Sequence, residues 1–412
     1  MANFRDVMKS GHPPTLFAAF LYFDFCFAVW VLNGAMGPFL TRAFELTPAQ
    51  TGLMVSIPTL AGALMRFPLG VVAQYIGRKN AAMVEMGLII VAMLYGWLFI
   101  GTFSDVIAMG MLLGIAGASF GVALSLGSGW FPPEHKGLAM GIAGAGNSGT
   151  VIALLCAPPL AQAHGWQNVY GFAALFMVVP LLVMLFFAKE PPDREHQSLK
   201  EHIRCLWEMD GWAFNLIYVI TFGGFIGLST FLPSFFYAQY GVSPVVAAQL
   251  TVLAALMGSA VRVVGGWASD RLGGLMVLSV VLVSAIGMFL LISRAPSITV
   301  TTILFMICFA VLGMGNGALF QLVPHRWPNN TAVVSSMVGE IGALGGAILP
   351  NVMGWSKQST GGFGTGFIAY AVLTAAVLVL LLFMRRRWAG TWVTAAGKPT
   401  SVQAAHHAAG LA

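Results

Sequence analysis

The chain has 412 residues, 58% of them hydrophobic and only 8% charged, with a formal net charge of +6; an average soluble domain carries about 25% charged residues. That balance leaves too little polar surface to cover a water-soluble core of this size. The four cysteines, Cys26, Cys156, Cys205 and Cys308, show no metal-ligand or redox spacing, so neither a disulfide framework nor a metal site is expected.

Apolar runs long enough to span a bilayer recur twelve times, at 15–40, 50–76, 81–101, 105–128, 137–163, 166–188, 212–239, 245–270, 274–293, 297–322, 331–356 and 363–384. No small-residue cleavage site follows the first, so it is not read as a signal peptide. The charged stretch 189–211 reads as a cytoplasmic linker between an N-terminal half, 1–188, and a C-terminal half, 212–388. Residues 389–412, rich in Ala, Thr and His, read as a disordered cytoplasmic tail. Lys and Arg crowd one side of the runs, including Lys9, Arg78, Lys79, Lys189, Arg271, Arg326 and Arg385 to Arg387, while the other side holds Arg42, Arg294 and Lys357. The positive-inside rule therefore puts both termini in the cytoplasm, and topology accounts for the positive charge without nucleic acid. The expected fold class is an all-α membrane protein with twelve transmembrane helices, in the cytoplasmic (inner) membrane.

Two basic residues belong to neither side. Arg66 and Arg262 lie inside the second and eighth runs, each opening an Arg-x-x-x-Gly spacing that ends at Gly70 and Gly266. The offset is 196 residues (262 − 66) in both cases, so the halves repeat in parallel. A guanidinium in mid-bilayer costs at least about 2.5–3.5 kcal/mol and normally faces a cavity. Either each Arg pairs privately with a carboxylate, or the two forks grip a small planar oxyanion, which suits Arg better than Lys.

A second repeat is glycine-rich. In GLAMGIAGAGNSGTVIALLCAPP, from Gly137 to Pro159, small residues including Gly141 and Gly144 share one helix face, with Asn147 at its edge. GEIGALGGAILP, from Gly339 to Pro350, repeats the pattern with Gly342 and Gly345. Such stripes let helices approach closely in membranes, and the prolines near their outer ends allow bending. Two carboxyls accompany them, Asp24 in the first run and Glu340 in the second glycine stretch. Each is read as a proton relay, as charge balance for the Arg pair, or as both. Glu85, near a cytoplasmic turn, is expected to pair with a loop Arg or Lys.

Two six-helix halves in parallel, with turn motifs after Gly70 and Gly266, resemble the major facilitator superfamily; Gln74 stands where the first motif usually has an acid, while Asp270-Arg271 keeps the second. The two Arg and the two glycine signatures make the chain similar to the nitrate/nitrite porters of that superfamily, over about residues 15 to 385. The resemblance implies that Arg66 and Arg262 hold the anion and that Asn147 donates to it. It further implies a tyrosine donor at Tyr218, aromatic walls at Phe222 and Phe120, and a weaker match at Phe27. It implies transport of nitrate, and of nitrite as a possible second substrate, by a monomer whose halves rock around the site. Proton symport is the expected mechanism, with Asp24 and Glu340 in proton coupling and Gly141, Gly144, Gly342 and Gly345 as conformational glycines. Nitrate/nitrite antiport is the alternative, and exchange of formate or oxalate a more distant one. With no catalytic Ser/His/Asp arrangement, metal spacing or phosphate loop, neither an enzyme nor a cofactor is expected; the partners are the anion, protons and membrane lipid.

Overall fold

The computed structural model describes residues 10–132, 139–140, 142–192, 204–328 and 331–398, at positions 145, 147, 204, 205, 332 and 333 by backbone alone. Helices account for nearly all of these residues: α1 (Pro13–Trp30), α2 (Pro48–Ile76), α3 (Arg78–Leu98), α4 (Phe103–Ser128), α5 (Gly149–His164), α6 (Trp166–Phe187), α7 (Met209–Tyr240), α8 (Pro244–Leu272), α9 (Gly274–Ile292), α10 (Ile298–Arg326), α11 (Thr331–Thr360) and α12 (Gly364–Trp388). Eleven helices among the described residues are long and apolar enough to cross a membrane. The fifth, whose described regular part is Gly149–His164, is preceded by 3-10 residues Ala145–Ser148. Outward faces carry large bare apolar side chains: Phe186 is 72% exposed, Val263 78% and Val379 66%. Water would penalise such surfaces, and lipid does not. Between α3 and α6 a groove of about 420 Å³, lined by Ile90, Leu94, Trp97 and Leu175, is of this apolar kind and contains none of the candidate site residues.

Local chemistry sets the helix starts. His12 accepts the Thr15 N–H and Pro13 follows it, so α1 begins there. Thr47 and Gln50 form a capping box at α2, as do Thr102 and Asp105 at α4. Gly77 (φ +91°) and Gly273 (φ +99°), again 196 residues apart (273 − 77), make the sharp turns into α3 and α9.

The chain divides into two compact units whose limits differ from the expected halves. The first runs to His196 and also takes Ser229–Val252; the second comprises Gln197–Leu228 and the chain from Leu253. The C-terminal part of α7 joins the first unit because it fits closely against two short helical pieces that follow α1, Leu32–Ala35 and Gly37–Ala43. A Cβ on Gly34 would lie 2.5 Å from the Thr230 carbonyl oxygen, and one on Gly37 would collide with Ser234 Oγ. Beyond them Arg42 donates to the Tyr237 hydroxyl at 2.9 Å.

In the first unit, Glu190 accepts the Arg78 and Lys79 backbone N–H groups at 2.8 Å each, capping α3. Lys79 Nζ in return donates to the carbonyls of Leu185 and Ala188 at the end of α6. In the second unit the chain beyond α12 takes that role. The carbonyl of Ala396 accepts the Met276 N–H in the first turn of α9 (3.1 Å), and that of Ala395 accepts Arg385 Nε (2.7 Å). Residues 389–398 therefore depart from the expected disordered tail. Val393 is fully buried and Trp392 nearly so, packed with Trp388 and Phe214. Composition concealed this, since two apolar side chains among small and polar ones suffice to dock the segment. Residues 399–412 lie outside the described ones. Beneath this cluster Arg326 bonds Asp210 (2.5 Å) and Glu208 (2.7 Å), and Trp388 Nε1 donates to Asp210 (2.8 Å).

Candidate functional site

Irregular turns mark the candidate residues in both units. In the first, α4 tightens to a 3-10 turn at Ile115–Ala118, a departure that leaves carbonyls without their usual partners. Arg66 Nε donates to the Gly117 carbonyl in that turn at 2.9 Å. The guanidinium carbon sits 5.4 Å from the ring centroid of Trp30 and 5.4 Å from that of Phe120, within cation–π range. Arg66 is only 6% exposed.

Trp30 is the residue that sequence reasoning missed. Its Nε1 donates to the Pro58 carbonyl at 2.7 Å, and its indole fills the space that side chains on Gly62 and Gly117 would need. The Pro58 carbonyl and the two glycines lie between 28 and 87 positions away (58 − 30, 117 − 30), which no local pattern reveals. Phe27 packs edge-on against Trp30 and Phe23, and Phe23 in turn meets Phe120. The structure thus brings Arg66, Phe120 and Phe27 into one aromatic group.

Asp24 turns away from that group toward α5. Its carboxylate accepts the Ser148 hydroxyl at 2.5 Å and the Gly149 backbone N–H. Gly146 and Gly149 let the backbones approach: a Cβ on Gly146 would be 2.7 Å from Asp24 N, and one on Gly149 would strike Asp24 O. Gly144 is looser, with only Leu124 Cδ2, at 3.3 Å, near its Cβ position. Asn147 has its backbone in the same 3-10 turn that ends at Ser148, and its side chain is outside the described ones. Gly141 also lies outside the described residues.

In the second unit, α7 widens to a π-turn at Val219–Gly223, a form frequent at functional sites. Tyr218 and Phe222 flank and fill this turn, stacked with centroids 4.9 Å apart, while Phe320 of α10 meets Tyr218 edge-on at 5.1 Å. The second glycine signature packs directly on it. A Cβ on Gly342 would collide with the Tyr218 ring, and one on Gly345 would lie 2.5 Å from the Val219 carbonyl oxygen. Glu340, 8% exposed, accepts the Ser336 hydroxyl at 3.2 Å. Arg262 is half-buried in α8 and makes no hydrogen bond or ion pair with any described residue, so it has no private carboxylate there. Arg66 and Arg262 belong to different units.

Glu85 differs from expectation. It is fully buried and accepts a hydrogen bond from Tyr22 of α1, not from a loop cation. Arg78 and Lys79 are instead drawn to backbone carbonyls at the helix ends.

The family profile of the Major Facilitator Superfamily matches residues 18–350. The chain belongs to the Major Facilitator Superfamily. Its fold agrees with solved members at low identity. A bacterial homolog of the human lysosomal transporter Spinster, inward-facing and occupied, aligns over 90% of this chain and 96% of its own with TM-score 0.70 and 18% identity. A D-xylose-proton symporter aligns over the same shares with TM-score 0.71 and 15% identity. Within the superfamily the resemblance to nitrate/nitrite porters is borne out. The chain is 29% identical to the nitrite extrusion protein of Bacillus subtilis (strain 168), over 93% of this chain and 95% of that one. It is 27% identical to the probable nitrate/nitrite antiporter NarK1 of Thermus thermophilus, over 84% and 85% respectively. With the probable nitrate transporter NarT of Staphylococcus epidermidis it shares 27% identity, over 88% and 93%.

Proposed function

We propose that this superfamily member carries nitrate across the cytoplasmic membrane by alternating access, as a nitrate/proton symporter. The observation that carries the reading is the state of the two membrane Arg. Arg66 is held by a carbonyl and two ring faces, and Arg262 is half-buried without a described partner. A flat, weakly hydrated anion offers such groups three oxygens at its edge and a face for aromatic rings. Tyr218, Phe222, Phe120, Phe27 and Asn147 complete the site in this reading. The full-length similarity to transporters named for nitrate and nitrite favours that anion over formate or oxalate.

Energetics weighs against unassisted uptake. Bringing one negative charge inward against 100 mV costs about 2.3 kcal/mol; one proton per nitrate removes that cost and two make the potential a driving force. The buried carboxyls Asp24 and Glu340 are the coupling groups of this reading. Nitrate/nitrite exchange is the second reading, favoured by the antiporter name of the Thermus relative; being electroneutral, it has no use for either acid.

Nitrate uptake into proteoliposomes, with and without an inward proton gradient, tests both. Gradient-driven accumulation that Arg262→Lys abolishes is the expected result. Uptake that requires internal nitrite and ignores the gradient would replace symport by exchange, and no nitrate flux at all would remove the substrate assignment.

A further inference from the structure

One membrane carboxyl has no part in the reading above. Glu85 stands eight residues beyond Gly77 (85 − 77), about 12 Å along α3, and is 0% exposed. One of its oxygens accepts the Tyr22 hydroxyl, and the other has no hydrogen-bond partner among the described residues. Among the described residues, the charged groups on every neighbouring helix are engaged elsewhere, and Tyr75 of α2 is 81% exposed. On α1, Asp24 faces Ser148 and Gly149, and Cys26 faces Ser119. On α2, Arg66 donates to Gly117 and lies against Trp30 and Phe120. On α4, Asp105 is bound into its own capping box and accepts the Tyr95 hydroxyl of α3. On α6, Tyr170 donates to Asn33. On α3 itself, Arg78 and Lys79 serve backbone carbonyls. No cation among the described residues pairs with Glu85.

An ionised carboxylate here would have one hydrogen bond, one bare oxygen and no counter-charge in a water-excluded interior, the least favourable setting for a charge. The neutral acid avoids all three faults, keeping Tyr22 on one oxygen. We propose that Glu85 is a proton-binding site of the transport cycle, with Tyr22 as the neighbour through which its protonation acts on α1. The step is a reversible protonation: the carboxylate gains a proton to become the acid and loses it when the site is opened to water. Its route to the substrate is short. Tyr22 ties α1 to α3 through Glu85, while Asp24, two residues on, ties the same helix to the 3-10 turn that carries Asn147. A change of charge at Glu85 therefore bears on the helix that holds the glycine signature. Glu85 binds the proton, and Asp24 transmits the consequence.

This inference rests on the proton-coupled reading, and its test separates the two. In full-length protein reconstituted into proteoliposomes, Glu85→Gln is expected to lose proton-driven nitrate accumulation by at least about tenfold, a loss of about 1.4 kcal/mol in coupling, and its residual flux to lose its pH dependence. Glu85→Asp restores a carboxyl and is expected to accumulate nitrate with a displaced pH profile. Accumulation and pH profile both retained in Glu85→Gln would overturn the assignment. Wild-type protein that shows no proton-driven accumulation would instead overturn the symport reading. Infrared spectroscopy of the solubilised protein then decides whether Glu85 holds a proton: a carboxylic-acid carbonyl band present in wild type and absent in Glu85→Gln supports it, and no such band refutes it.

Discussion

The Tyr218 ring lies flat on the Phe222 ring, with planes 5° from parallel. The stack is held from behind by Gly342, where any side chain would meet the Tyr218 ring. Gly342→Ala therefore forces that ring to shift. Overpacking of this kind costs about 1–3 kcal/mol, and the expected outcome is a raised KM for nitrate, with Gly342→Leu abolishing transport. Initial rates against nitrate concentration measure it; wild-type kinetics in Gly342→Leu would contradict the packing.

Arg66→Lys keeps the charge but loses the Nε–H that reaches the Gly117 carbonyl and the flat face that meets Trp30 and Phe120. Hydrogen bonds to charged groups contribute about 1.5–3 kcal/mol, so nitrate affinity is expected to fall by at least about tenfold. Binding of nitrate to solubilised protein, followed calorimetrically, is the measurement.

The Asp24–Ser148 bond joins α1 to the turn bearing Asn147. Ser148→Ala removes the donor and Asp24→Ala the acceptor of both that bond and the Gly149 bond. The second variant is expected to destabilise the protein more, by about 1–3 kcal/mol for each donor left unsatisfied, while Asp24→Asn retains an acceptor and loses less. Melting temperatures of the solubilised variants should rank wild type, Asp24→Asn and Asp24→Ala in descending order.

His12, outside the membrane at the start of α1, gives a pH dependence with a definite sign. Burial, and then the nearby Lys189, hold its imidazole below the usual range, so the folded protein favours the neutral ring whose Nδ1 accepts the Thr15 N–H. The unfolded chain binds the proton more readily. The cap's contribution, about 0.5–2 kcal/mol, is complete above the ordinary imidazole pKa and lost as pH falls through the lowered one. His12→Asn keeps the cap without titrating. Its melting temperature is expected to fall less than that of wild type between neutral pH and about pH 5.

Much of this was legible because membranes impose long apolar runs and expose misplaced charges. Arg66, Arg262 and the glycine repeats announce themselves against such a background. Trp30, Tyr22 and Glu190 do not, since an aromatic ring in an apolar run, or one acid in a charged loop, has no local signature. Their roles come from partners on other helices. Glu85 was misplaced for a related reason: proximity along the chain to Arg78 and Lys79 suggested a surface pair, but those side chains are consumed by the carbonyls at helix ends. The docking of 389–398 was hidden because polar composition says nothing about which backbone carbonyls a neighbouring helix start still requires.

The wide turn at Val219–Gly223 has a consequence for the rest of α7. A regular helix advances about 100° per residue, and a π-turn accommodates one residue more than a regular turn does. Everything after Gly223 is thereby rotated by about one residue's angle relative to Tyr218. Tightening the turn to a regular one with every residue kept would swing Thr230, Ser234 and Tyr237 away from Gly34, Gly37 and Arg42, whereas removing a single residue from 219–223 would straighten it and leave their phase unchanged. The irregularity works as a phase key within α7: it decides which of the residues that follow it share a helix face with Tyr218.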